Sequence, residues 1–339
     1  MRPLLEDYLK CVVYLYPSVA AAKQGDKDGG TGFLIAVASK FGGPPYYYAV
    51  TNSHVIARGS PVLRLTKRNG DPDPRELKKE DWTHHSSKDD LAVCPLDISA
   101  DTHDFEAVYI HQIGVTKQDI YEKYLGRWIN AGNDVCMCGR FKRHDGQRTN
   151  IPVARFGNIS RLPKEPIKHC SEHFKEEYLQ ESYLVEMRSL SGFSGSPVFV
   201  YAPGGFPVQN YDTENVELVI DESAHILFLG VDWCHFNSHD DVIDRSGNKH
   251  PHGWRVESNS GMAGVIPAWK LIEFLDREEF VMQRKQADQI RADEIAAIER
   301  NSPITLDTDE PLFTKEVFVN DLTKATRRIS PPDREKKET

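Results

Sequence analysis

A chain of 339 residues, 39% hydrophobic and 27% charged, is long enough to bury a sizeable core and too apolar for wholesale disorder. Its formal charge of −9 lacks the basic excess that a phosphate backbone demands, so nucleic acid is not an expected partner. No stretch approaches the roughly 20 apolar residues that cross a bilayer, and the opening MRPLLEDYLKCVVYLYP lacks the layout of an export signal, so a cytoplasmic protein without membrane contact is expected.

From Cys11 to about Trp269 the chain is a series of short apolar or alternating runs broken by Gly, Pro, Asn and Asp, the pattern of an all-β protein. Expected strands are CVVYLY (11–16), GFLIAVA (32–38), YYYAVTN (46–52), PVLRLT (61–66), DLAVCPL (90–96), DVCMCG (134–139), YLVEMR (183–188), SPVFVYA (196–202) and HILFLGVDW (225–233). Many short strands argue for a sandwich or barrel. Between the two strand-rich halves, residues 112–132 hold the polar KQDIYEKYLGRW, which can form a helix and is the candidate connection. After Pro267, read as the first helical residue, Ala268, Leu271, Ile272 and Leu275 recur at helical spacing. That helix can continue through RKQADQIRADEIAAIER to about Glu299 on a thin apolar stripe of Ile290, Ile295 and Ile298.

Cys11, Cys94, Cys136, Cys138, Cys170 and Cys234 are scattered through such runs, and no disulfides are expected in a reducing compartment. Cys136 and Cys138 read as two small core residues on one strand face, since no second pair at metal-site spacing follows. His235, His239, His250 and His252 lie in a polar stretch with no helix to set a ligand pair, and a solvated loop is the preferred reading. His84 and His85 read as loop too. No cofactor or metal is expected.

Serine-driven acyl transfer needs a hydroxyl beside a base, a carboxylate that fixes the base's tautomer, and donors for the developing oxyanion. YYYAVTNSHVIARG is an apolar strand ending in a small polar turn that presents His54. KDDLAVCPL places Asp90 immediately before an apolar strand, and SLSGFSGSPVFV places Ser194 in a turn flanked by Gly192 and Gly195. Those glycines permit the tight path that aims two amides at one point, so the backbone N–H groups of Gly192 and Ser194 are the expected oxyanion hole. Pro197 suits the start of the strand that follows.

GGTGFLI (29–35), TNSHVI (51–56), DDLAV (89–93), GFSGSPVF (192–199), GVDW (230–233) and GMAGVIPAWKLIEFL (261–275) together resemble, in order, the trypsin-like (chymotrypsin-fold) serine peptidases, especially the bacterial branch of high-temperature-requirement peptidases. The resemblance covers roughly residues 11–275. It implies a mostly β fold of two antiparallel six-stranded barrels, a C-terminal helix and an extended tail. The expected domains are residues 8–125 and 126–266 for the barrels and, read from the chain's own pattern, 267–300 for the helix and 301–339 for linker, short amphipathic helix and disordered tail. It implies hydrolysis of peptide or protein substrates, with His54 as base, Asp90 as orienting acid and Ser194 as nucleophile. Ser196 departs from the family's second glycine and, with Ser191, is a decoy nucleophile. The family's pocket floor would lie near Arg188–Leu190, where no acidic residue stands, so a preference for Lys or Arg is not expected. The long insertion between GVDWCHF and GMAGVIP would overhang the cleft as a lid or exosite.

Two other readings remain open. A catalytically silent peptidase fold would serve as a binding module, because chemistry belongs to sites and not to folds. An α/β-hydrolase, with Asp232 as acid and His252 as base, needs a helix directly after the serine, where Pro197–Tyr201 reads as strand. In the tail, Phe318, Leu322, Ala325 and Ile329 form one apolar stripe on a short helix, a candidate surface for self-association or partner docking.

Overall fold

The computed structural model describes residues 4–40, 43–85, 88–121, 129–142, 144, 146–171, 175–210, 217–221, 225–250 and 252–301. The tail helix expected around Phe318 and Leu322 lies outside the described residues.

The fold is mostly β. The first half holds β1 (Val12–Tyr16), β2 (Gly30–Val37), β3 (Tyr46–Thr51), β4 (Val62–Thr66), β5 (Pro72–Arg75), β6 (Thr83–His84), β7 (Ala92–Leu96) and β8 (Val108–Tyr109). They form an eight-stranded half-barrel sheet in the order β5-β4-β1-β2-β3-β7-β6, with β8 parallel to β2. The second half builds a closed six-stranded barrel from β9 (Asp134–Gly139), β10 (Val153–Arg161), β13 (Tyr183–Glu186), β14 (Pro197–Tyr201), β17 (Ile226–Asp241) and β18 (Arg255–Pro267). Two hairpins lie outside these sheets, β11 (Ile167–Ser171) with β12 (Glu176–Gln180) and β15 (Phe206–Asn210) with β16 (Glu217–Asp221). Short helices α1 (Leu4–Leu9), α2 (Val19–Gln24), α3 (Ser53–Ala57), α4 (Ile110–Ile113) and α5 (Lys117–Tyr121) link the strands. The chain closes with α6 (Ala268–Leu275) and α7 (Glu278–Asn301). It divides into one compact unit of residues 1–288 and another of residues 289–339.

The continuous apolar run of β1 is explained by burial on both faces. Period-2 alternation sends Val13 and Leu15 into a cluster with Leu34, Ala49 and Leu63, all within the half-barrel. It sends Val12, Tyr14 and Tyr16 into a second cluster that includes Phe33 of β2 together with Phe199 and Phe228 of the closed barrel. The Phe228 ring lies 5.4 Å from Phe33 and 5.8 Å from Phe199. That aromatic seam is worth several kcal/mol of apolar burial and packs the two sheets together.

Three local expectations differ from the structure. Residues 235–260 form an arm as well as a loop, with Asn237–Asp241 continuing β17 and pairing with residues 255–259 of β18. Its side chains are half-buried or exposed with no buried apolar face, so no apolar period marks it as strand. Pro267 keeps an extended ψ of 144° and caps α6 from outside, so the helix starts at Ala268. The C-terminal helix is two helices, interrupted at Asp276 and Arg277, which lets Phe280 pack edge-on against both Phe274 and Tyr48.

Candidate active site

Antiparallel pairing of β3 with β7 sets Thr51 opposite Ala92, and the three residues after Thr51 then grip the two before Ala92. Asn52 Nδ2 donates to the Asp90 carbonyl at 2.8 Å and Ser53 Oγ to the Leu91 carbonyl at 2.8 Å. The His54 backbone N–H donates to Asp90 Oδ1 at 2.9 Å, while His54 Nδ1 lies 2.5 Å from Asp90 Oδ2. Both side chains are buried. An acceptor-only carboxylate at Nδ1 puts the proton on that nitrogen and leaves Nε2 to act on a hydroxyl. His54 thus sits on the one-turn helix α3, where the sequence pattern suggested only a turn.

Asp90 is itself buttressed from the hairpin β11–β12. Gln180 is fully buried; its Oε1 accepts the Asp90 N–H at 3.2 Å and its Nε2 donates to Asp89 Oδ1 at 2.8 Å. The Tyr178 hydroxyl donates to the same Asp89 oxygen at 2.6 Å, His85 Nδ1 stands 3.0 Å from the other, and Lys270 of α6 approaches to 3.6 Å. Burial alone would raise the Asp89 carboxyl, yet His85, the Tyr178 hydroxyl and the Lys270 ammonium outweigh it and hold it below its ordinary value.

The turn that holds Ser194 connects β13 to β14 of the closed barrel. Gly192 and Gly195 adopt φ of 107° and 87°, a region that L side chains avoid. A Cβ at Gly195 would stand 2.2 Å from the Thr31 carbonyl oxygen, so a larger residue would push the turn off the strand beneath it. Ser194 and His54 line one cavity of about 350 Å³, together with Gly30, Arg58, Lys142, Gly192 and His235. Among the described residues, neither the Gly192 nor the Ser194 N–H donates to another protein group. These are the two amides expected to hold an oxyanion.

The decoys separate cleanly. Ser191 is exposed on the rim of the same cavity. Ser196 is fully buried, its hydroxyl packed against the Gly139 backbone without a hydrogen-bond partner among the described residues. The α/β-hydrolase assignment is not assembled, because a strand follows Ser194. In that strand Pro197 pairs with Val231, and the exposed His252 sits beyond the arm, next to the rings of His250 and Trp254. Asp232 is buried behind the nucleophile turn. Its carbonyl accepts from Gly195 N–H at 2.9 Å, its N–H donates to the Ser196 carbonyl at 2.9 Å, and Ser189 Oγ donates to its carboxylate at 3.0 Å. Burial drives that carboxyl well above its ordinary value, with only the Ser189 hydroxyl opposing. The run Arg188–Leu190, which lacks an acid in sequence, therefore has one against it in space. Among the described residues no group of three or more His, Cys, Asp or Glu is arranged to hold a metal ion.

No family model matches this sequence, and no curated protein matches it. Solved structures similar to the chain include two described as a protease domain and a protease paralogue. One is the apo MamO protease domain of Magnetospirillum magneticum, 11% identical, with a TM-score of 0.44 over 80% of this chain and all of that one. The other is an inactivated protease paralogue of the scabies mite, 13% identical, with a TM-score of 0.30 over 66% of this chain and 90% of that one.

Proposed function

We propose that this chain is a serine endopeptidase of the trypsin-like kind, resembling the high-temperature-requirement branch. The supporting observation is the buried His54–Asp90 pair, with Nδ1 and Oδ2 2.5 Å apart, facing the cavity that Ser194 also lines. In the reaction, Ser194 Oγ attacks a peptide carbonyl as His54 Nε2 takes its proton. The amides of Gly192 and Ser194 stabilise the oxyanion. Collapse breaks the C–N bond, and His54 returns the proton to the leaving amine. Water activated by the same imidazole then cleaves the acyl-enzyme and frees Ser194. Asp90 holds the imidazole in one tautomer and stabilises the imidazolium. Substrates are peptides or proteins, no cofactor takes part, and the free thiols of Cys11, Cys94, Cys136, Cys138 and Cys234 fit a cytoplasmic setting.

Treating the full chain with a fluorophosphonate probe and mapping the adduct tests this reading. Labelling confined to Ser194, lost in Ser194→Ala, together with cleavage of a peptide library supports it. Absence of both labelling and cleavage in the folded wild type would establish a silent fold instead.

A further inference from the structure

The peptide planes of the nucleophile turn can be accounted for one by one. In the Gly192–Phe193 peptide, the carbonyl accepts from Thr31 Oγ1 at 2.6 Å and the N–H donates to the Leu190 carbonyl at 3.0 Å. In the Ser194–Gly195 peptide, the carbonyl accepts from the Thr31 N–H at 3.1 Å and the N–H donates to the Asp232 carbonyl at 2.9 Å. In the intervening Phe193–Ser194 peptide, the carbonyl accepts from Ser196 N–H at 2.8 Å, and the Ser194 N–H is left over. One residue therefore fixes the carbonyl ends of both planes that flank the Ser194 amide, and that residue is Thr31 on β2, in the other sheet.

Thr31 is fully buried and every polar atom it has is engaged. Besides donating to Gly192, Oγ1 accepts the Arg140 N–H at 2.9 Å, and the Thr31 carbonyl accepts from Thr51 Oγ1 at 2.7 Å. Arg140 is also buried, its guanidinium donating to the carbonyls of Asp26 and Asp28 and lying over the Tyr16 ring, so the acceptor side of this chain is anchored as well. Thr51 is three residues before His54. Thr31 thus joins the strand that carries the base to the turn that carries the nucleophile, its carbonyl holding Thr51 and its hydroxyl holding Gly192.

We propose that Thr31 is a positioning residue for the oxyanion hole. Its hydroxyl holds the Gly192 carbonyl on the strand side, which sets the Gly192–Phe193 plane between the two donor amides and keeps their N–H groups convergent on the cavity. Without that bond, nothing on the Thr31 side opposes rotation of the Gly192 carbonyl, since glycine at φ 107° has no side chain to resist it. The role rests on Ser194 being the nucleophile, and it acts on the transition state more than on substrate binding.

The test compares Thr31→Val, Thr31→Ala and Thr31→Ser in the full chain, reading fluorophosphonate labelling rate, kcat and KM, with folding checked by thermal unfolding. Removing one oxyanion donor outright costs roughly 10²–10³ in kcat. Thr31→Val, which keeps shape but not the hydroxyl, should lose roughly ten- to a hundredfold in kcat and labelling rate with KM within about threefold. Thr31→Ser should restore both to within about threefold of wild type. If Thr31→Val does not fold, Thr31→Ala carries the same expectation. A folded variant without the hydroxyl that labels at the wild-type rate, or a folded Thr31→Ser as slow as Thr31→Ala, overturns the role of the hydroxyl. Failure of the wild type itself to label overturns the serine-peptidase reading instead, so the two failures are told apart.

Discussion

Asp90 holds His54 at two points, one carboxylate oxygen 2.9 Å from its backbone N–H and the other 2.5 Å from its ring Nδ1. A two-point hold sets both the position of α3 and the tautomer of the ring. Asp90→Asn keeps the shape but offers an amide where a carboxylate accepted, which favours the wrong tautomer. The expected result is a fall in kcat of roughly three to four orders of magnitude with thermal unfolding little changed, checked by steady-state kinetics beside calorimetry.

Ser194 and Ser196 are two residues apart and should respond in opposite ways. Ser194→Ala should abolish labelling and turnover while the fold persists. Ser196→Ala removes a buried hydroxyl that has no partner among the described residues, so it should retain activity and be neutral or stabilised by up to about 1 kcal/mol in urea unfolding. The reverse outcome would move the nucleophile to Ser196.

Gln180 is where the β11–β12 hairpin braces Asp90, the acid of the proposed triad. Gln180→Leu strips the Asp90 N–H of its acceptor and Asp89 of a donor, both buried, at an expected cost of about 2–4 kcal/mol. Activity should fall by roughly tenfold as well, because Asp90 loses its brace. Equilibrium unfolding and labelling rate check the two halves. Unchanged values for both would mean that the hairpin does not support the site.

Asp89 and Asp232 should give stability profiles of opposite slope. The Asp89 carboxyl is held low in the folded chain, so its contribution is present above its unfolded value near pH 4 and is lost as pH falls through the lower folded value. Asp89→Asn should therefore be destabilised at pH 7 by about 2–4 kcal/mol, with the deficit shrinking in acid. The Asp232 carboxyl is held high, so above about pH 4 the folded chain keeps a proton that the unfolded chain releases. Its contribution becomes less favourable, by up to ~1.4 kcal/mol per pH unit, until pH reaches the folded value. Asp232→Asn lacks that penalty and should gain stability relative to wild type between pH 4 and neutrality. Urea unfolding of the three proteins across this range tests both signs, and parallel profiles for the variants would contradict them.

Much of the architecture was legible before any coordinates. The strands β1, β2, β3, β4, β7, β9, β13 and β14 fall where short apolar runs stand between turn residues, because burial on one or both faces writes itself into local residue choice. Strands whose side chains meet solvent carry no such signal. EEYLQ in β12 is not among the expected strands and the Asn237–Asp241 arm reads as loop for this reason. The position of His54 was legible, but α3 was not, since five residues are too few for a helical period.

By itself the sequence determined the mostly β class, the three segments that present His54, Asp90 and Ser194, and the two glycines that let the nucleophile turn close. Each of these depends on residues within a few positions of one another, where spacing and residue type carry the information. Only the tertiary structure decided which groups support them. Thr31 reaches Gly192 across 161 residues, Gln180 reaches Asp90 across 90, and Asp232 reaches Ser189 across 43. A hydrogen bond of that span leaves no period in the chain, because any buried polar residue can make one and the register of the sheets alone selects the partner.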